Sequence, residues 1–247
     1  MPKDQSIDSQ IAYLKKYYQG SDITEAINRL KNGEPIQYII EDVNFYGNTI
    51  KVNKNVLIPR FETELLVDKT IKKTHKYFSN KKIDILDLGT GSGCIAVSLK
   101  KELNCQVDAL DISKEALEVA KVNAKLNNVD IDFINEDMTQ YKSKKYDLII
   151  SNPPYIKEDE EIMDIVKNNE PHLALYAKDN GIYFYKKIID NIPYITKDEY
   201  LIAFEIGCTE SSEIVDYANS HLKNVNISVE KDYNNLDRFI FITNKND

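Results

Sequence analysis

Two short motifs combine residue types that suit chemistry on a small ligand. The first, DLGTGSG from Asp87 to Gly93, places three of the chain's eight glycines within five residues. It follows the apolar run IDILDL and precedes a helical pattern, so it predicts a glycine loop between a strand and a helix. Glycines there permit a tight turn and close approach of the backbone to a ligand, and the helix N-terminus offers free amides.

A carboxylate follows the next predicted strand. Asp111 stands about 20 residues beyond the loop, where a carboxylate typically accepts hydrogen bonds from ribose hydroxyls, so an adenosine-containing cofactor is predicted. The alternative is that Asp111 only caps a helix beginning at Ser113. The GxGxG spacing differs from the GxGxxG of dinucleotide sites, and acidic Asp87 suits an ammonium group better than a phosphate. The motif therefore favours S-adenosylmethionine over NAD.

The second motif, SNPPYI at 151–156, ends a predicted strand at the same sheet edge. The Asn152 side-chain carbonyl and the Pro153 backbone carbonyl can accept hydrogen bonds from the two N–H groups of a planar nitrogen. Such a nitrogen is a poor nucleophile, and two rigid acceptors would hold it and raise its electron density. Tyr155 can pack against a flat substrate group. The alternative, a rigid turn without chemistry, is disfavoured by the glycine loop upstream.

Alternating strand and helix patterns position these motifs. The predicted strands are 83–89, 106–112, 131–135, 146–151, 200–206, 226–231 and 237–243, and the helices between them are 92–103, 113–128, 181–192 and 209–222. This alternation predicts an α/β fold with a doubly wound, mostly parallel, seven-stranded sheet. The short link between the last two strands predicts an antiparallel C-terminal hairpin.

The N-terminal part has a different pattern. Helical spacing predicts helices at 7–18, 22–31 and 62–78, while residues 36–52 are rich in β-branched and aromatic residues. Tyr46-Gly47-Asn48 indicates a turn within that β-rich stretch. About 25 residues after the SNPPYI motif are predicted to form a loop.

Composition narrows the class of protein. The chain has 247 residues, a net charge of −8 and no apolar run long enough to span a membrane. The acidic balance disfavours binding to phosphate backbones, so neither a nucleic-acid nor a membrane partner is expected. Three scattered cysteines and three histidines predict neither a disulfide framework nor a metal site. The N-terminus lacks an apolar signal segment, and we expect a cytoplasmic protein.

The motifs resemble a known enzyme family. DLGTGSGCIAVSLK, Asp111 and SNPPYI look like class I S-adenosylmethionine-dependent N-methyltransferases, which have a Rossmann-like fold. The stretches that narrow the resemblance to the HemK/PrmC family are GEPIQYII (33–40), NVLIPRFETELLV (55–67), NEPHLALYAKDNGIYFYKKII (169–189), FEIG (204–207) and EKDYNNLDRFI (230–240). The resemblance implies methyl transfer to the side-chain amide nitrogen (N5) of glutamine in the Gly-Gly-Gln motif of peptide chain release factors. That reaction modulates translation termination.

The resemblance also implies roles for single residues. Asn152 and Pro153 would be catalytic, and they would bind the substrate glutamine together with Pro154 and Tyr155. The implied cofactor-binding residues are Arg60, Thr63, Glu64, Gly89, Thr90, Gly91, Ser92, Gly93, Asp111, Asp137, Met138 and Asn152. The implied domains are a small helical substrate-docking domain at 1–34, a β-hairpin connection at 35–58 and a methyltransferase domain at 59–247.

Some residues depart from the family pattern, and other functions stay open. Phe61 stands where the family usually has proline, and Asn44 and Glu41 stand where it usually has an acidic residue and a glycine. The usual glutamine is missing after Gly207. One alternative function is methylation of an exocyclic amine of adenine or guanine in DNA or RNA. Another is a nucleotide-binding module without catalysis, against which the intact Asn-Pro-Pro-Tyr turn argues.

Overall fold

The computed structural model describes residues 6–79 and 81–245. The predicted domain ends at residues 1–5 and 246–247 lie outside the described residues. The helices are α1 (Ile7–Tyr17), α2 (Ile23–Lys31), α3 (Ile36–Ile40), α4 (Phe61–Phe78), α5 (Cys94–Glu102), α6 (Lys114–Leu126), α7 (Asp164–Asn169), α8 (Tyr183–Ile195) and α9 (Ser211–His221). The strands are β1 (Asp42–Phe45), β2 (Asn48–Lys51), β3 (Ile83–Leu88), β4 (Cys105–Asp111), β5 (Asp132–Asn135), β6 (Tyr146–Ser151), β7 (Ile156–Lys157), β8 (Tyr176–Ala177), β9 (Thr196–Glu205), β10 (Asn226–Lys231) and β11 (Asp237–Thr243).

Seven strands form the central sheet in the order β10-β11-β9-β6-β3-β4-β5. The pairs β9–β6, β6–β3, β3–β4 and β4–β5 are parallel, and β11 runs antiparallel to both of its neighbours. The predicted seven-stranded α/β sheet and its antiparallel C-terminal hairpin are therefore confirmed.

The sheet is covered by helices on both faces, which explains its continuous apolar strands. Successive side chains of β3 point to opposite faces, so Ile85 joins one hydrophobic cluster while Leu86 and Leu88 join the other. All three side chains are fully buried. The central strand is consequently fixed in register on both sides, which gives the loop after Leu88 a rigid base.

The chain changes direction across the sheet at the end of β3. From β3 it passes through α5 to β4 and through α6 to β5, and then crosses back to β6 on the other side of β3. The carboxyl ends of β3, β4 and β6 therefore surround a topological switch point, where open α/β sheets bind ligands.

The β-rich stretch at 36–52 is only partly extended. The prediction of β structure is wrong for Ile36–Ile40, which form α3, and the hairpin begins at Asp42. Ile36 and Ile39 pack with Leu14, from α1, in a small helical cluster, and this packing overrides their intrinsic preference for strands. The chain leaves α3 through Glu41 at φ 68, a left-handed conformation that glycine adopts more readily than other residues.

The stretch after Ser151 is more ordered than the predicted loop. It contains α7 and two short strands, β7 and β8, which pair in parallel. The following helix also runs further than predicted, ending at Ile195 with Pro193 in its last turn, and β9 begins directly after it. The alternation of apolar and polar residues that marks a strand could not indicate β7 and β8, because each has only two residues.

Gly93 joins the glycine loop to the helix layer, and its substitution should destabilise the fold. Its φ is +79°, and an added Cβ would lie 3.0 Å from the Ala120 Cβ and 3.2 Å from the Ala120 Cα. We expect Gly93→Ala to lower the free energy of unfolding by about 2–4 kcal/mol, from left-handed strain plus overpacking. Urea unfolding measures this, with Gly47→Ala (φ +74°, nothing within 4 Å) as the control for strain alone. Equal losses in the two variants would contradict the proposed contact with Ala120.

Candidate active site

A cavity of about 350 Å³ opens at the switch point. The predicted site residues that line it are Arg60, Thr63, Gly89, Thr90, Gly91, Ser92, Asp111, Asp137, Met138, Asn152 and Pro154. Those outside its lining are Glu64, Gly93, Pro153 and Tyr155. The fold thus brings the glycine loop, the carboxylate after β4 and the turn after β6 to one place.

The glycine loop is tied to the neighbouring strand by its backbone. The amides of Gly89 and Thr90 donate to the Leu110 carbonyl at 2.8 and 2.9 Å. Gly89 and Gly91 have φ values of +74° and +54°, which favour glycine. A Cβ on Gly89 would lie 2.8 Å from the Met138 Cε, whereas a Cβ on Gly91 would meet nothing within 4 Å. At either position, a side chain would occupy space beside the loop that the two glycines leave free for a ligand.

Asp111 connects the glycine loop to the start of α6. Its Oδ2 accepts from the Gly91 amide and its Oδ1 accepts from the Ser113 amide, each at 2.9 Å. The helix cap itself is the Ser113 hydroxyl, which accepts from the Ala116 amide at 3.1 Å. Burial raises the pKa of Asp111, and the backbone hydrogen bonds oppose that rise. Each carboxylate oxygen keeps a second lone pair, so Asp111 can also accept from ligand hydroxyls.

A second carboxylate lies beneath the loop. Asp87 is fully buried, and its Oδ2 accepts from the Thr90 hydroxyl at 2.6 Å. Its Oδ1 has no hydrogen-bond partner among the described residues. Burial raises the pKa of Asp87 to about 7. Asp87 does not itself line the cavity. Its buried carboxylate beneath the loop disfavours a phosphate there and favours a cationic group, and this charge fits the amino end of S-adenosylmethionine.

Asp87 should also make stability depend on pH. An aspartate in the unfolded chain titrates near about 3.9. Because the folded state holds the proton more tightly, this contribution is fully present below about pH 4 and is lost as pH rises through about 7. We expect Asp87→Asn to lose less stability than the wild type between about pH 5 and pH 8, by about 1–3 kcal/mol.

Urea unfolding at the two pH values without cofactor measures that difference. Glu205 keeps its own raised pKa in the variant, so the pH dependence should shrink and not vanish. Replacement of the exposed Asp216 by asparagine is the control and should leave the difference between the two pH values unchanged. The same pH dependence in Asp87→Asn and wild type would contradict the assignment.

The Asn-Pro-Pro-Tyr turn is anchored on both sides. The Ser151 hydroxyl donates to the Leu88 carbonyl at 2.7 Å, which holds the end of β6 against the end of β3. The Asn152 Nδ2 donates to the Thr63 Oγ1 at 3.2 Å, and the Thr63 hydroxyl donates to the Glu205 Oε2 at 2.7 Å. Asn152 lines the cavity, and since its nitrogen is engaged by Thr63, its Oδ1 is the atom that can accept from a ligand.

Tyr155 has a different environment from Asn152. Its ring lies close to Gly207, where an added Cβ would be 3.3 Å from the Tyr155 Cδ2, and its carbonyl lies against Gly181. Burial raises the pKa of Tyr155, so it stays neutral. The ring therefore packs behind the turn, and its predicted contact with a flat substrate group stays a prediction.

Two walls of the cavity lay outside the predicted site. One wall consists of Asn55, Val56, Leu57 and Pro59. The other consists of Pro171, Leu173, Ala174, Tyr183 and Phe184. Buried Glu170 joins the walls, since its Oε2 accepts from the Ile58 amide at 3.0 Å and its Oε1 accepts from Arg60 at 2.5 Å. Both groups of residues fall in stretches that carry the family resemblance. Their residue types alone did not indicate that they line the cavity or that Glu170 connects them.

The position of Phe61 shows what replaces the usual proline. Its ring is 57% exposed and stacks on the Tyr233 ring with 5.8 Å between centroids. This aromatic pair bridges the start of α4 and the turn between β10 and β11 and leaves Arg60 and Thr63 facing the cavity. The departure therefore leaves the cavity lining intact.

Two wider features bear on the class of protein. No helix in the described part of the chain has the length and apolar character needed to cross a bilayer. Across residues 6–79 and 81–245, no group of three or more histidine, cysteine, aspartate or glutamate side chains is arranged to hold a metal ion.

Solved structures share the fold. The ribosomal protein L11 methylase from Lactobacillus delbrueckii subsp. bulgaricus aligns with a TM-score of 0.55 at 20% identity, covering 78% of this chain and 83% of that one. A methyltransferase from Pyrococcus furiosus aligns with a TM-score of 0.61 at 16% identity, covering 90% of this chain and 98% of that one. At these identities the likeness shows the fold alone.

Sequence relatives are more specific. A family model described as methyltransferase small domain matches residues 61–174. The chain is 42% identical over 217 residues to a release factor glutamine methyltransferase of Bacillus subtilis (strain 168), covering 85% of this chain and 75% of that one. It is 43% identical over 218 residues to the release factor glutamine methyltransferase of Flavobacterium psychrophilum, and the alignment covers 86% of this chain and 76% of that one. The chain therefore belongs to the release factor glutamine methyltransferase family, as the motifs had predicted.

Proposed function

We propose that this protein transfers a methyl group from S-adenosylmethionine to the N5 amide nitrogen of the glutamine in the Gly-Gly-Gln motif of peptide chain release factors. The observation that carries the proposal is the Asn152 side chain, which lines the cavity with its nitrogen engaged by Thr63. Its Oδ1 is left to accept a hydrogen bond beside the glycine loop. Family membership supplies the substrate class.

The residues around the loop account for cofactor binding. S-adenosylmethionine supplies an electrophilic methyl group on a sulfonium centre. The loop Gly89–Gly93 surrounds the methionine part, and Asp111 accepts from the ribose hydroxyls. Asp137 and Met138 frame the adenine, and the unpartnered Oδ1 of Asp87 provides negative charge for the ammonium group. Arg60, held by Glu170, keeps the wall closed over this region.

The turn after β6 accounts for substrate activation. Asn152 Oδ1 and the Pro153 carbonyl accept the two N–H groups of the glutamine amide, which orients its nitrogen and raises its electron density. Pro153 and Pro154 stiffen the turn, so both acceptors are in place before the substrate arrives. As the N–CH₃ bond forms, the methyl bond to the sulfonium sulfur breaks, and S-adenosylhomocysteine would be the product. The methylated nitrogen is acidic, so its proton passes to water without a strong general base. Alignment of the two reactants supplies much of the rate.

A protein substrate fits the surroundings of the cavity better than a nucleic acid does. The segment after the turn carries the exposed residues Glu158, Asp159, Glu160 and Glu161, which would repel a phosphate backbone. The helical domain at 1–34 is our proposed docking domain, and α1 exposes Tyr13 and Tyr17. Release factors act on ribosomes, so we place the protein in the cytoplasm.

A competition between acceptors tests the substrate class. The purified protein is given S-adenosylmethionine with a labelled methyl group and equimolar unmethylated release factor, ribosomal RNA and duplex DNA. We expect label in the release factor fraction alone. Label in RNA or DNA would overturn the proposed substrate, and the alternative acceptor, an exocyclic base amine, would take its place.

A further inference from the structure

A chain of hydrogen bonds leads from the proposed catalytic amide into the protein interior. It starts at Asn152 after β6, passes through Thr63 on α4 and ends at Glu205, the last residue of β9. The two links measure 3.2 and 2.7 Å. Thr63 is 3% exposed and Glu205 is 1% exposed, so the bond between these two residues is shielded from water.

The polarity of this chain follows from the chemistry of its inner end. An ionised carboxylate can only accept hydrogen bonds, and a threonine hydroxyl has one proton to donate. Thr63 gives that proton to Glu205, and its remaining lone pairs then face Asn152. Asn152 must therefore present its NH₂ group to Thr63, which sets its Oδ1 on the opposite side of the amide.

We propose that Thr63 and Glu205 are positioning residues that fix the orientation of the Asn152 amide, so that Oδ1 and not NH₂ meets the substrate nitrogen. The inference rests on the proposed function, since orientation matters only if Asn152 must accept from an N–H group. The oxygen and NH₂ ends of an asparagine amide have nearly the same shape, and packing alone does not select between them. A reversed amide would place its own N–H groups against those of the substrate.

Glu205 accepts from Thr63 when its carboxylate is ionised, and its surroundings decide the pH at which that holds. Burial raises the pKa of Glu205 to about 7, and the hydrogen bond from Thr63, the charge of Arg238 and the nearby Asn152 amide oppose that rise. The nearby charge of Glu62 adds to it. Arg238 is held in place by its own bond to the Ile206 carbonyl at 3.0 Å. Assays at about pH 8 therefore keep the Glu205 carboxylate ionised.

Three conservative variants test the positioning role through kinetics. Thr63→Val removes the hydroxyl, and we expect kcat to fall about 10- to 100-fold. Thr63→Ser keeps the hydroxyl and should recover kcat to within about threefold. Glu205→Gln can donate as well as accept, so it should lower kcat about tenfold.

A matched control variant shows whether a fall in kcat comes from the lost positioning of Asn152 or simply from removing a buried hydroxyl from α4. Thr70 lies on the same helix, is fully buried, and its hydroxyl has no partner among the described residues. Thr70→Val should leave kcat unchanged. If Thr63→Ser is as slow as Thr63→Val, or if both match wild type, the proposed relay is overturned.

A measurement without substrate keeps this inference separate from the proposed function. Nuclear magnetic resonance of the free protein follows exchange of the Asn152 side-chain NH₂ protons with water. We expect slow exchange in wild type and Thr63→Ser, and at least about tenfold faster exchange in Thr63→Val. Equal exchange in all three overturns the relay even if release factors are methylated. Conversely, absence of methylation by wild type with slow exchange overturns the proposed substrate alone.

Discussion

Replacement of Asn152 by alanine should lower kcat for release factor methylation by at least about 100-fold. The variant loses the side-chain acceptor that orients the glutamine nitrogen, while the Pro153 carbonyl alone cannot hold both N–H groups. The glycine loop and Asp111 are untouched, so the Kd for S-adenosylmethionine should stay within about threefold of wild type. Steady-state kinetics on a release factor and calorimetric titration of the cofactor measure the two quantities.

The matched control for this prediction is Asn226→Ala. Asn226 is exposed at the start of β10, and its side-chain Nδ2 donates to the Lys245 carbonyl at 2.9 Å, far from the cavity lining. We expect wild-type turnover from that variant. Unaltered turnover in Asn152→Ala would contradict the role of Asn152. Loss of cofactor binding together with turnover would show instead that its contribution is to the cofactor site.

Replacement of Asp111 by alanine should raise the Kd for S-adenosylmethionine by at least about 100-fold. The change removes the acceptors proposed for the ribose hydroxyls and also frees the Gly91 amide, which holds the loop in its ligand-binding conformation. Hydrogen bonds to a charged group contribute about 1.5–3 kcal/mol each, which is enough for this loss. Calorimetric titration measures the affinity.

A second variant distinguishes this role from helix capping. Ser113→Ala removes the hydroxyl that caps α6 and should lower the free energy of unfolding by about 1 kcal/mol with little effect on cofactor affinity. If Asp111→Ala behaved like Ser113→Ala, with lower stability and wild-type affinity, Asp111 would be a structural cap and the ribose assignment would be wrong.

The central sheet was predictable because its strands are buried on both faces. Runs such as IDILDL and DLIIS are typical of the core strands of a parallel sheet, and they alternate with longer helical patterns. The glycine loop and the Asn-Pro-Pro-Tyr turn follow β3 and β6, so the strand order alone places them together. Their places at the carboxyl ends of predicted parallel strands were therefore sufficient to predict that they share one edge of the sheet.

Other parts of the fold and site depend on tertiary contacts that the sequence pattern does not contain. Ile36–Ile40 have strand-forming residues but form a helix because their side chains fill the cluster beneath α1 and α2. In the sequence, Glu205 is predicted only as the end of a core strand. Its hydrogen bond with Thr63 forms only when the sheet and α4 pack together, so the sequence pattern could not predict it. Likewise, the contact between Arg60 and Glu170 joins segments 110 residues apart, so residue types alone could not indicate it.

The central claim is that the Asn152 turn directs a methyl group to a glutamine amide. Its most direct test is mass spectrometry of an unmethylated release factor after incubation with the purified protein and S-adenosylmethionine. We predict a gain of one methyl mass, which fragmentation localises to the glutamine of the Gly-Gly-Gln motif, and no gain with Asn152→Ala. A methyl group on any other residue, or no gain although the cofactor binds tightly, would contradict the proposed reaction.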